Sequence, residues 1–271
     1  MSRRFLLLIL FIVFLFTFTI TPIAASSPPN IPNHPTFRIV TVEKMADSPV
    51  QWVTAGGGIL AYGAGQQASF APVNDPFSPV SHLTFDKVIS EGLMLGRIAL
   101  LSQEGLGLRM IDLRVPSNPL DLGIYPLSGT TFHLAAWGNL LFVSGVDPGI
   151  QIFEISFSDM QDSSLNLFNR GTIPVDDSIM ALAASESKVY ASTGKEVKVF
   201  DVFDPFLTSE ADSLPVILPA RSMAVNGNTL FIAASTDGLH VIDLSIQGKA
   251  KSLAVHPVPS ESLYLASIKF H

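Results

Sequence analysis

The sequence predicts an all-β protein: a β-propeller of four-stranded antiparallel blades, with about five repeats. Three observations predict it. An apolar strand ending in an acid recurs at near-constant spacing, 19 glycines and 19 prolines punctuate the chain, and charged residues make up only 14% of it against 48% apolar. Globular chains average about a quarter charged residues, so most of these strands are expected to be buried. They are apolar on both faces, as sheets stacked between neighbouring sheets require; a solvated sheet would turn polar at every second position.

From the N-terminus, Arg3 and Arg4 form a short positive region, and Phe5 to Ile20 is an uncharged apolar run interrupted by Thr17 and Thr19. Ala24, Ala25, Ser26 and Ser27 supply the small residues of a signal-peptidase site, so residues 1–25 read as a signal peptide. The run is also nearly long enough to cross a bilayer, which makes an uncleaved N-terminal membrane anchor the alternative. A positive N-terminus stays inside, so both readings put the remainder outside the cytoplasm, secreted or anchored at the outer face of the membrane. Residues 26–36, rich in Pro and Ser, read as an extended linker.

Residues 37–271 carry the repeats. The clearest copies are Leu108 to Asp112, Ile150 to Glu154, Val197 to Asp201 and Leu239 to Asp243, whose acids lie 42, 47 and 42 residues apart. Each is preceded by a turn and a strand (Gly96 to Leu101, Gly138 to Val143, Ser187 to Ala191, Gly227 to Ile232). Earlier still come strands with small residues, Phe132 to Ala136, Ile179 to Ala184 and Ser222 to Val225, suited to the crowded axis of a ring. A weaker fourth strand, such as Leu120 to Tyr125 or Leu165 to Ile173, completes a blade. The repeats fall at approximately 50–90, 91–130, 131–177, 178–219 and 220–260, with a partial unit at 261–271. In the degenerate first repeat Ala68 to Val73 is the third strand, and Asn74 takes the place of the acid. Phe37 to Val42 resembles an unpaired outer strand and Ser262 to Lys269 an innermost one. The ring therefore either closes at five blades or is truncated within a ring of six or more.

The strand-plus-acid element with its following prolines, clearest at Leu108 to Asp112 with Pro116 and Pro119, at Leu239 to Asp243, and at Asp204-Pro205, resembles the LVIVD repeat family of bacterial and archaeal surface or secreted proteins. The resemblance spans about Gln51 to Ser260; the first repeat departs from it at Asn74, and the fifth lacks the prolines after Asp243. It implies a propeller at the cell surface and brings no reaction or catalytic residue.

No residue pattern reaches a catalytic, cofactor-binding or metal-binding signature. The chain has no cysteine, which excludes disulfides, thiolate metal sites, a cysteine nucleophile and a lipidated cysteine. A net charge of −7 without a basic cluster excludes the usual electrostatic footprint for nucleic acid. Asp112, Glu154, Asp201 and Asp243 are expected at wide separations around a ring, whereas a metal needs oxygens within about 2.6 Å. They read instead as strand-ending carboxylates that accept backbone N–H groups of the next turn. His34, His82, His133, His240, His256 and His271 show no ligand spacing; only His133 falls on an innermost strand, where it could face the channel, and a lone histidine there reads first as structural. Glu104 to Gly107, Asp147 to Gly149 and Asp237-Gly238 read as turns. Ser156 to Ser164, with Asp159, Met160 and Asp162, reads as a surface insertion.

The expected function is a non-catalytic exported or cell-surface module that binds or scaffolds a protein or glycan partner, with no cofactor. The membrane enters only through the N-terminal segment. The rival is an enzyme, a hydrolase or dehydrogenase, built where several acidic or His side chains of different innermost strands meet at one channel mouth. A third reading is a fragment of a longer surface protein.

Overall fold

The computed structural model describes residues 50–256, apart from 128, 130–131, 146–148, 158–164, 186, 205–208, 215–219, 221, 235–237 and 246–250. The segments 1–25, 26–36, Phe37 to Val42 and Ser262 to Lys269 lie outside the described residues.

Among the described residues, twenty strands form five antiparallel sheets of four, each a simple meander in chain order. Blade 1 holds β1 (Trp52–Gly56), β2 (Ile59–Ala64), β3 (Gln67–Pro72) and β4 (Ser81–Thr84); blade 2 holds β5 (Ile89–Leu95), β6 (Ile98–Gln103), β7 (Gly107–Asp112) and β8 (Leu120–Pro126). Blade 3 holds β9 (His133–Trp137), β10 (Leu140–Ser144), β11 (Ile150–Phe157) and β12 (Leu165–Ile173). Blade 4 consists of β13 (Ala181–Ser185), β14 (Lys188–Ser192), β15 (Val197–Asp201) and β16 (Ser209–Leu214). Blade 5 consists of β17 (Ser222–Asn226), β18 (Thr229–Ala233), β19 (Leu239–Asp243) and β20 (Lys251–His256). The five sheets are arranged as a five-bladed β-propeller, with β1, β5, β9, β13 and β17 around the axis.

The first hairpin of every blade turns through two residues, which demands a left-handed backbone that glycine reaches at no steric cost. Gly57, Gly96, Gly138 and Gly227 accordingly occupy the first turn position with φ between 52° and 60°. Blade 4 uses Ser187 in the second position at φ 59°, the one non-glycine at positive φ among the described residues.

Burial follows the two-sided pattern. Every residue of β6 is buried, and neighbouring side chains point to different blades. Leu101 packs with Trp52, Ala61 and Phe70 of blade 1, while Leu100 packs with Phe132, Leu141 and Phe153 of blade 3. Similar clusters join blades 3 and 4 through Phe142, Ile152 and Phe200, and blades 4 and 5 through Tyr190, Val199 and Ile232. Each fully buried Leu or Phe contributes about 1.5–3 kcal/mol relative to exposure, so these interfaces are the principal cohesion of the ring.

One hydrogen bond repeats in all five blades. The residue that follows the third strand, or in blade 3 the equivalent Ile155 within the longer β11, donates its N–H to the carbonyl at the first hairpin: Val73 to Gly58, Leu113 to Arg97, Ile155 to Asn139, Val202 to Ser187 and Leu244 to Asn228, at 2.7–3.1 Å. This bond aligns the blades and corrects the expected first repeat. Pro72, which faces Ile59 as Asp112 faces Ile98, stands where the acid is in the other blades, rather than Asn74. Blades 2 to 5 also share a bulge between third and fourth strands, at Met110/Ile111, Ile152/Phe153, Val199/Phe200 and Val241/Ile242. Blade 1 pairs regularly there.

Candidate functional site

The innermost strands enclose a channel of about 650 Å³. Each pairs with only one other strand, so its second edge, with alternate N–H and C=O groups, is turned to the axis. Most channel side chains are small or apolar, including Ala135, Ala183, Leu182, Met223 and Val225.

Two of the channel-facing edge amides are capped by a side chain of the preceding blade. Thr54 Oγ1 on β1 accepts the N–H of Met94 on β5 at 3.1 Å. Glu91 Oε1 on β5 accepts the N–H of Leu134 on β9 at 3.1 Å. The other carboxylate oxygen, Glu91 Oε2, lies 2.8 Å from His133 Nδ1. Against an ionised carboxylate Nδ1 carries the shared proton, and in the neutral form of the ring Nε2 is left with its lone pair. Both side chains are partly accessible, 27% for Glu91 and 20% for His133. Both also lie in the first three residues of their strands, so the pair marks the end of the channel where the innermost strands begin.

His133 stands on an innermost strand, as expected. Glu91 is the residue that sequence reasoning missed, because the innermost strand of the second repeat had not been delimited. A usable signal existed: Glu91 precedes His133 by 42 residues, the spacing of the repeat itself. The pair therefore brings one acid and one imidazole of adjacent strands to one mouth. Among the described residues, no group of three or more His, Cys, Asp or Glu side chains is placed to hold a metal.

The recurrent acids are not brought together. Asp112, Asp201 and Asp243 each accept, through Oδ1, the N–H two residues on, from Arg114, Phe203 and Ser245 at 2.8–2.9 Å. This is the turn role expected of them. Glu154 differs: it takes Arg170 Nε at 2.7 Å and Asn139 Nδ2 at 3.3 Å, tying β11 to β12 and to the first hairpin. Among the other histidines, His82 bonds Ser69 Oγ at 2.8 Å on the exposed side of blade 1, and His240 Nε2 is buried without a partner. Glu104 to Leu106 form the turn between β6 and β7, closed by the Leu106 N–H on Gln103 O. Ser156 and Phe157 of the expected insertion are strand residues paired with Asn166 and Leu165; residues 158–164 lie outside the described residues.

The opposite end of the ring has another character. There the third strands hand over to the fourth, and exposed apolar side chains recur: Phe77 and Val80 in blade 1, Val115 and Leu120 in blade 2, and Phe203, 82% exposed, in blade 4. Ser81 Oγ donates to Pro116 O at 2.6 Å, joining the first two of these turns across the blade boundary.

No family model and no curated protein matches the chain. Solved structures do. The chain is similar to the computationally designed Ika8 protein (TM-score 0.52, 14% identity, 83% of this chain and 66% of that one, slightly under two thirds of its length). It is also similar to the Myceliophteria thermophila Cps50 (Swd1) β-propeller domain (TM-score 0.56, 11% identity, 80% of this chain and 75% of that one). A third similar chain comes from a mitotic checkpoint complex (TM-score 0.59, 14% identity, 83% and 70%). At these identities the likeness shows the fold alone, and the fold is a β-propeller.

Proposed function

We propose that the chain is a non-catalytic binding module, exported or held at the cell surface, that grips a protein partner with the turns between its third and fourth strands. The observation that carries this reading is the recurrence of Phe77, Val80, Val115 and Phe203 as exposed apolar side chains at one end of three blades. Large exposed apolar side chains gathered on one face of a repeat architecture mark contact surfaces. Their aliphatic and phenyl character suits a protein better than a glycan, which needs clustered polar acceptors. Export rests on the tripartite pattern of residues 1–25 and on the resemblance to LVIVD surface proteins. The non-catalytic reading rests on the commitment of Asp112, Asp201 and Asp243 to turn amides and of Glu154 to Arg170.

The test places a photo-crosslinking amino acid at Phe203 or Val115, and in a control at Lys195, which is exposed at the other end of the ring. The expected result is one discrete adduct on producing cells from the first two positions and none from the third. Equal labelling from all three, or none from any, overturns the reading. Fractionation of the same cells tests export independently, and chain found only in the cytoplasm would refute that part.

A further inference from the structure

We propose that the channel mouth at Glu91 and His133 binds a small organic cation, a primary or secondary ammonium on an apolar body. This site lies at the opposite end of the ring from the apolar turns and stands independently of them.

The argument begins with what the fold itself requires. An amide on the inner edge of a strand needs an acceptor, and Thr54 shows that a neutral hydroxyl suffices, since its Oγ1 caps Met94 N across the blade 1–blade 2 boundary. At the next boundary the same task for Leu134 N is done by a carboxylate, which also holds an imidazole. Even partly exposed, a carboxylate costs more to desolvate than a hydroxyl. Capping alone therefore does not account for Glu91.

Charge identifies the ligand. Among the described residues lining the channel there is no Lys, Arg or Asp, and Glu91 is the sole carboxylate. His133 balances it only when protonated. With the imidazole neutral, Glu91 is the one charged side chain among the described residues that line the channel, set beside small apolar residues and the open strand edges. The mouth also keeps acceptors free for a ligand: the remaining lone pairs of the carboxylate and the Nε2 lone pair of His133. A pocket lined in comparable measure by strand-edge peptide groups and small apolar residues, with a carboxylate and further acceptors converging at its mouth, suits a cationic N–H donor attached to an apolar body. An anion meets repulsion there, and a neutral alcohol forgoes the charge.

Three probes of one shape separate these cases: cyclohexylammonium, cyclohexanol and cyclohexanecarboxylate, titrated calorimetrically into the full chain. Cyclohexylammonium should bind saturably and on the order of tenfold more tightly than cyclohexanol, the worth of a hydrogen bond to a charged group, while the carboxylate should not bind. Glu91→Gln, which keeps an oxygen for Leu134 N, should abolish the preference for the ammonium. A flat isotherm with the ammonium, equal affinity for ammonium and alcohol, or an unchanged preference in folded Glu91→Gln overturns the proposal. If that variant does not fold, the three probes on the unaltered chain decide alone.

Discussion

The indole of Trp52 lies flat enough against Gly92 of the next blade that a Cβ there would stand 2.6 Å from Cζ3 of the ring. The same indole covers Gly63 in its own blade, where a Cβ would meet Trp52 at 2.6 Å and Gln67 O at 2.1 Å. Trp52 thus fills a slot whose two walls are glycines, between the first two blades. Gly92→Ala should destabilise the protein by about 1–3 kcal/mol, the usual cost of overpacking. Urea unfolding followed by tryptophan fluorescence would show it, and an unchanged midpoint would mean that the slot can widen.

Leu100 and Leu101 are adjacent in sequence and both fully buried, one toward blade 3 and one toward blade 2's other neighbour. Replacing either with Ala should cost about 2–5 kcal/mol. In a sheet with one wet face only one of the two would be costly, so similar losses of thermal stability in both variants are the signature of burial on both sides.

The turn-capping aspartates separate shape from charge. Asp201→Ala and Asp243→Ala each remove the acceptor for an N–H two residues on and should lose about 1 kcal/mol. Asp201→Asn keeps an acceptor oxygen and should lose much less. Thermal denaturation of the three variants checks the order.

Burial pushes the Asp121 carboxyl upward, but hydrogen bonds from the Arg109 guanidinium and the Gly123 N–H, with the Arg109 charge, outweigh it and hold it below the ordinary carboxylate range. A carboxyl lowered in the folded state contributes stability that is fully present above about pH 4 and is lost as pH falls through the folded value. Asp121→Asn should therefore flatten the acid limb of the stability curve and leave the neutral region nearly level. The side chain is 41% exposed, so solvent screening holds the contribution to under about 1 kcal/mol. Melting temperatures from pH 2 to 7 test this, and an acid limb identical to that of the unaltered chain would contradict it.

The sequence made the blades legible because a blade is a local object. Short turns join consecutive strands, so the order of strands in each sheet is their order in the chain. The third strand was the clearest signal since it must be apolar for both neighbours and must stop at a turn cap, two demands that leave a fixed mark at Asp112, Asp201 and Asp243. The first blade reads two residues out of register in the sequence, because Pro72 offers no carboxylate at the position that marks the strand end in the other blades. The Glu91–His133 contact was hidden for a different reason: it joins two blades, and its partners are a whole repeat apart. The shared bulge escaped as well, since an extra residue in a weak outer strand changes no pattern of burial.

The inner edges described above have a consequence for how this molecule could diversify. Because peptide groups rather than side chains supply much of the polar wall along the axis, substitutions there can alter bore and charge without turning the passage into an oily plug. At positions such as Glu91 and His133, whose side chains reach the passage instead of the cores between blades, recognition at the hub is thereby uncoupled from the cohesion of the wheel, so a change there could switch what is admitted while the spokes keep their fit.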